Sequence, residues 1–274
     1  MSSDHPRQAF RRPPLRVLAT TLWEYPSQHY DWVDDQGVRH TMQGDKDYVG
    51  ATPSWVIWQL LQRYTREGDT VLDPMCGSGT TLDVAASLGR KSVGFDLVPR
   101  REDVRQSDAR TLPLPDASVD FAFVDPTYST HVDYSQDARC IGKLDAAGDD
   151  GGRAYYDAMR RVIGEMHRTM KNRRYMGLYV SDSWKKKKGG PKGSGAGTFM
   201  PIGFELFAIM REKFVPVDII AVVRQNQKLD RGNWRKAAVE ENFYLRGFNY
   251  LFIMKKVDDV VEARSPRPAD RTRR

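Results

Sequence analysis

The chain has 274 residues, of which 40% are hydrophobic, 11% aromatic and 29% charged, a balance that excludes wholesale disorder and allows a substantial buried core. Its 43 Lys and Arg against 36 Asp and Glu leave a net charge of +7, which favours an anionic partner. The longest apolar runs, such as Val215 to Val223, fall far short of the roughly 20 residues a membrane-spanning helix needs.

The two cysteines, Cys76 and Cys140, form no C-x-x-C pair and can build neither a disulfide framework nor a four-ligand zinc site, so no metal is expected. The Arg-rich start carries no apolar stretch of the kind that marks a secretory signal, and a cytoplasmic location with no membrane contact is expected. Residues 1–15 and 258–274 are polar and rich in Pro and Arg, and read as disordered basic arms around a folded part at 16–257.

Within that part, Ser54 to Tyr64 repeats apolar residues at helical spacing, with Ser54 available as a cap beside Pro53. Thr70-Val71-Leu72 predicts a strand entering Asp73-Pro74-Met75-Cys76-Gly77-Ser78-Gly79-Thr80-Thr81, and a helix follows from Leu82 and ends at Gly89. Further strands are predicted over Ser92 to Phe95, around Val104, and over Val119 to Val124, the last ending at Asp125-Pro126-Thr127-Tyr128. A helix over Ala154 to Met170, a strand over Tyr175 to Val180, a helix over Gly203 to Lys213 and strands over Val217 to Val223 and Tyr250 to Met254 complete the order. Strands alternating with helices imply an α/β domain, a mostly parallel sheet covered by helices on both faces.

A strand that hands a glycine turn to a helix N-terminus makes a binding site, because the glycines let a ligand approach the backbone and the helix end offers free N–H groups. Gly77 and Gly79 occupy that turn. A phosphate-binding P-loop would need Lys before the Ser/Thr, and Thr80 follows Gly79 directly; a dinucleotide fingerprint would need a third glycine where Leu82 stands. A turn that merely packs strand on helix is the plainer alternative. Against it, Asp96 lies nineteen residues after Gly77 at the end of the next strand, where a carboxylate can accept both hydroxyls of a ribose. Ligands of open parallel sheets bind beyond the carboxyl ends of the strands, and Asp73, Asp96, Asp108 and Asp125 all fall at such ends. Asp125-Pro126 alone reads as a turn. Beside the glycine loop, its carboxylate and proline-fixed carbonyl form two acceptors for the hydrogens of an amino group, and Tyr128 can stack on a flat heterocycle.

Positive charge gathers in Arg7 to Arg16, in Lys171-Asn172-Arg173-Arg174, in Lys185, Lys186, Lys187 and Lys188 with Lys192, and in Arg264 to Arg274. Any single run is compatible with a solvated face, while several together point to nucleic acid. The lysines at 185–192, flanked by Gly189, Gly190, Gly193 and Gly195, read as a mobile loop that grips phosphates without base preference.

DPMCGSGTT (Asp73 to Thr81) resembles motif I, and DPTY (Asp125 to Tyr128) motif IV, of the S-adenosylmethionine-dependent amino-methyltransferases that methylate adenine N6 or cytosine N4 in DNA. The resemblance runs upstream through ATPSWVIWQLLQRYTREGDTVLD, which is similar to their motif X, and downstream to about residue 256, in the order X, I, IV. It implies a Rossmann-like class I methyltransferase fold, a seven-stranded sheet with its last strand antiparallel. It also implies S-adenosylmethionine as cofactor, DNA as partner, base flipping, and a restriction-modification setting.

Carried across by position, Thr52, Pro53, Asp73, Pro74, Cys76, Gly77, Gly79 and Thr80 would shape the methionine end of the donor site. Asp96 with Leu97 would hold the ribose, and Asp108 with Ala109 the donor's adenine. Asp125, Pro126, Thr127 and Tyr128 would hold the target amine, and Phe248 would pack on the flipped base. Asp rather than Ser at position 125 leans toward adenine. Thr127 departs from the family's second proline, and the only unassigned stretches for a target reader are residues 129–152 and 182–200. Site selection is then relaxed, shared with a second copy or a specificity partner, or unnecessary on structured RNA. Two other readings stand beside this one: an RNA base methyltransferase acting on guanine N2 in tRNA, which shares D-P-x-C-G-S-G-T, and a catalytically silent fold that binds nucleic acid.

Overall fold

Apolar side chains on both sides of a strand need cover on both faces of the sheet, and the central strands are built that way. The computed structural model describes residues 15–25, 32–33, 39–40, 43–45, 48–186, 197–224, 232–240 and 242–258. Its elements are β1 (Leu22–Trp23), β2 (Trp32–Val33), β3 (Arg39–His40), α1 (Ser54–Tyr64), β4 (Thr70–Asp73), α2 (Thr80–Ser87), β5 (Lys91–Asp96), β6 (Val104–Gln106) and β7 (Val119–Val124). There follow α3 (Arg153–Thr169), β8 (Met170–Val180), β9 (Ser183–Lys186), β10 (Gly197–Met200), α4 (Ile202–Met210), β11 (Val215–Val223), α5 (Gly232–Glu240) and β12 (Phe248–Lys255).

Eight strands form one sheet in the order β1-β11-β12-β8-β7-β4-β5-β6. β12 runs antiparallel to both its neighbours, β11 and β8, and the other pairings are parallel. The sheet therefore has the mostly parallel, Rossmann-like order that the resemblance implies, with the expected antiparallel last strand, extended by one short edge strand, β1, that the sequence reading lacks.

Period-two alternation divides the core. Leu72, Ala122, Val124, Leu178 and Phe252 pack with α3 and α4 on one face, and Val71, Phe121, Phe123, Leu251 and Ile253 pack with α1 and α2 on the other. Ser54 is the first residue of α1 rather than its cap; Pro53 holds the cap position with no side-chain hydrogen bond. β8 starts at Met170, five residues earlier than expected, directly after α3. Two hairpin-like pairs, β2 with β3 and β9 with β10, and helix α5 are also additional to the sequence reading.

The basic run at 171–174 is partly spent inside the fold. Lys171 Nζ lies 2.9 Å and Arg174 Nη2 2.8 Å from a carboxylate oxygen of Asp120, which is 4% exposed at the start of β7, so these cations neutralise a buried acid at the amino edge of the sheet. Arms 1–14 and 259–274 lie outside the described residues, as do Lys187, Lys188 and Lys192. Among the described residues no helix is long and apolar enough to cross a membrane.

Candidate active site

Motifs I and IV become neighbours because β4 lies beside β7, with Leu72 opposite Ala122, so both loops leave the same carboxyl edge. Asp73 closes β4 and is 4% exposed; its Oδ2 accepts from Thr81 Oγ1 at 2.5 Å and its Oδ1 from the Met75 amide at 3.1 Å. Burial pushes its carboxyl up to about 7, against the lowering effect of those two donors.

Gly77 sits at φ +49°, and a Cβ there would lie 2.8 Å from the Tyr48 phenol, so both its backbone and its neighbour call for glycine. Its amide donates to Asp96 Oδ2 at 3.0 Å, and the Val98 amide donates to Asp96 Oδ1 at 3.0 Å. The Asp96 carboxylate is therefore fixed by backbone on both oxygens while keeping lone pairs for a diol.

Gly79 has a different use from the one expected. It lies at φ +79° and does not line the cavity; a Cβ would meet the Arg101 guanidinium at 2.5 Å. Arg101 donates to the Ser78 carbonyl at 3.2 Å and to both oxygens of Asp83 in the first turn of α2, at 2.8 and 2.9 Å, clamping the loop from outside.

A cavity of about 580 Å³ extends along this edge, from Asp96, Leu97, Asp108 and Ala109, past Pro74, Cys76, Gly77 and Thr80, to Thr52, Pro53 and the Asp125–Tyr128 loop. Every predicted donor-site residue except Gly79 lines it, and so do all four predicted target-site residues. At its target end, Asp125 Oδ2 accepts from Thr52 Oγ1 at 2.6 Å and Oδ1 from the Tyr128 hydroxyl at 2.9 Å. Thr52 thus ties motif X to motif IV. Burial pushes the Asp125 carboxyl up to about 7, opposed by the Thr52 and Tyr128 hydrogen bonds and reinforced by the charge of Asp73. The Tyr155 hydroxyl donates to the Thr127 carbonyl at 2.7 Å and anchors the loop to α3.

Asp108 lines the cavity as expected, with its carboxylate taking Arg110 Nε at 2.9 Å and Nη2 at 2.6 Å. Two expectations are corrected here. Phe248 neither lines the cavity nor joins the core; it is 42% exposed and stands edge-on to Tyr250. Lys185 is not free to take a phosphate, because it is ion-paired with Asp145; Lys186 lies in β9.

Sequence reasoning missed Tyr48, Tyr134, Tyr179, Arg224 and Asn249, all of which line the cavity. Tyr48 and Tyr134 stack with ring centres 6.2 Å apart, and the Arg100 guanidinium lies 5.1 Å from the Tyr48 ring centre. The one available signal was a polar residue at the mouth end of an apolar strand: Arg224 directly after β11, and Asn249 near the start of β12. Asn249 is 5% exposed, and its Oδ1, like Thr127 Oγ1, is buried without a protein hydrogen-bond partner among the described residues. Orphaned polar atoms in a cavity wall are what a polar ligand would satisfy.

Residues 4–106 match the DNA methylase family. Among similar proteins, the Type II methyltransferase M.MthZI of Methanothermobacter thermautotrophicus is 33% identical over 97 residues, covering 34% of this chain and 27% of that protein. The Type II methyltransferase M.BamHI of Bacillus amyloliquefaciens is 39% identical over 66 residues, covering 24% and 15%. The chain therefore matches about a quarter or less of the length of these two relatives. The solved structure of TrmN from Thermus thermophilus covers 76% of this chain and 50% of its own at 16% identity, with a TM-score of 0.47. Motif I and the Asp96 cradle lie inside the matched segment, so residues 4–106 of the chain are similar to the DNA methylase family of N6-adenine and N4-cytosine methyltransferases, a likeness that supports S-adenosylmethionine as cofactor.

Proposed function

We propose that this chain methylates an exocyclic base amine in DNA, adenine N6 in preference to cytosine N4, on a base flipped into the cavity. The observation that carries the reading is Asp125: a half-buried carboxylate in the cavity wall, aimed by two hydroxyls, in one cavity with the Asp96 diol cradle. S-adenosylmethionine supplies an electrophilic methyl group on a sulfonium. Asp96 accepts the two ribose hydroxyls, and the loop from Asp73 to Thr80 holds the methionine end. A base amine is a poor nucleophile because its lone pair is delocalised into the ring, so the base must leave the stack and the nitrogen must be drawn toward tetrahedral geometry. Asp125 and the Pro126 carbonyl accept the two amine hydrogens, and Asp125 takes one proton as the methyl–nitrogen bond forms. Tyr128 acts through its hydroxyl as an aiming group for Asp125 as well as through its ring. Asp at position 125 and the resemblance at motif IV support adenine.

The test is transfer of a tritiated methyl group from the donor to duplex DNA, single-stranded DNA and total RNA, with the methylated base identified in digested product. Label in N6-methyladenine of DNA is the expected result. Asp125→Ala should keep donor binding and lose transfer by at least about 10²-fold, as expected for removing a positioned transition-state acceptor. Cys76→Ser and Cys140→Ser should stay active, since direct transfer needs no thiolate. Label confined to RNA, or a dead Cys140→Ser beside a live Asp125→Ala, would overturn the reading.

A further inference from the structure

The β9–β10 hairpin docks one face on the domain and leaves an aromatic pair on the other. On one face Ser183 and Met200 are buried, 6% and 2% exposed, and Lys185 is ion-paired with Asp145, so the Ser183–Met200 end of that face is docked on the domain. The opposite face carries Trp184 and Phe199, paired directly across the strands, 37% and 41% exposed, with ring centres 6.4 Å apart. Met200 thus reaches the core, while the two aromatics stand together in solvent beside it, and an exposed aromatic pair of this kind marks a candidate contact surface. It is also rigidly built. Gly197 lies under the indole, where a Cβ would come within 2.1 Å of Trp184 Nε1, and the Arg246 guanidinium lies 4.9 Å from the Phe199 ring centre.

The patch continues to the cavity mouth. Arg246 precedes Phe248, which pairs with Val223, and both Val223 and the next residue, Asn249, line the cavity. The hairpin also leans on the motif IV side: Ser183 Oγ bonds His131 Nε2 in the turn that follows Tyr128.

We propose that this aromatic face, Trp184 and Phe199 with Arg246, is the surface that grips the DNA duplex next to the extruded base. The inference rests on the function proposed above and names the element that holds its substrate. Charge decides the occupant. Between the two strands the chain carries Lys187, Lys188 and Lys192. Trp, Phe and Arg by themselves would suit a protein partner as well, but lysine is depleted at such interfaces, and these lysines with the net charge of +7 favour a phosphate backbone, with the aromatics placed to meet bases that leave the stack beside the extruded one. A second copy of this chain is the competing occupant, and the test separates the two.

The full chain and its Trp184→Ala/Phe199→Ala and Arg246→Gln variants are titrated into a fluorescently labelled pool of short mixed-sequence duplex DNA, with donor affinity by calorimetry and mass by sedimentation alongside. The double variant should bind duplex at least about tenfold more weakly with donor affinity unchanged, and Arg246→Gln should lie between it and the parent. Trp184→Phe should retain most of the affinity, which separates a stacking surface from a folding defect. Duplex affinity within twofold of the parent overturns the proposal and leaves the methyltransferase reading standing. A parent dimer that the double variant converts to monomer assigns the surface to self-association and overturns it as well. A parent that binds donor but no duplex defeats both readings.

Discussion

Asp125 is held where its charge is disfavoured. Its folded carboxyl is raised from 3.8 to about 7, so the native state holds the proton more tightly than the unfolded chain does. The stability this supplies is full below pH 4 and is lost as pH rises through about 7, because above it the fold must bury an anion. Asp125→Asn removes that liability while keeping an acceptor oxygen. We expect the variant to gain more in Tm over the parent at pH 8 than at pH 5, and to lose methyl transfer; thermal unfolding at the two pH values measures it, and an equal offset at both would contradict the assignment. Catalysis runs the other way, since the ionised carboxylate is the better acceptor, so turnover should rise with pH through about 7. Thr127 is a second case of strain kept at the site. Its buried, partnerless hydroxyl should make the near-isosteric Thr127→Val more stable, by about 1–3 kcal/mol at most, while raising the KM for DNA if that hydroxyl meets the flipped base.

The elements that carry the chemistry were those with the clearest patterns. β7 falls where its uninterrupted apolar run predicts, and the parallel-sheet rule brings Asp73, Asp96 and Asp125 to one edge. What the sequence hid was of two kinds. β1 is two residues long, and β9–β10 is interrupted by a Lys- and Gly-rich stretch that looks like loop, so neither presents a period to read. Contacts across long separations, such as Thr52 to Asp125 and Arg101 over Gly79, depend on how loops fold over one another, which spacing does not encode. The same distinction separates the two glycines of motif I: Gly77 borders the ligand space beneath Tyr48, and Gly79 lies outside it beneath Arg101. Gly77→Ala should therefore weaken donor binding as well as stability, through both its φ of +49° and the collision with Tyr48, while Gly79→Ala should act mainly on stability. Calorimetric donor titrations of the two variants test this, and equal loss of affinity in both would refute the division.

The molecule as a whole is organised around one edge of a sheet whose two cores lie on opposite faces. Residues 48–53 cross that edge, so Tyr48 and Thr52 face loops that come from β4, β5 and β7. A ligand seated there touches segments from both ends of the chain and should stabilise the fold globally, by RT ln(1 + [L]/Kd), or about 2.7 kcal/mol at a hundredfold excess over Kd. For a domain of this size that corresponds to a rise in Tm of several degrees, on the order of 2–4 °C per kcal/mol. On the proposed reading the shift should depend on Asp96, since two charge-assisted bonds to a ribose would each be worth about 1.5–3 kcal/mol. Asp96→Ala also removes the acceptors of the Gly77 and Val98 amides, so its Tm without ligand should fall. The informative quantity is the difference with and without S-adenosylmethionine, which a fall in baseline does not alter. We expect millimolar donor to raise the parent's Tm by several degrees and the variant's by less than one, as followed by differential scanning calorimetry. Equal shifts in the two proteins would place the ribose elsewhere in the cavity and remove Asp96 from the donor site.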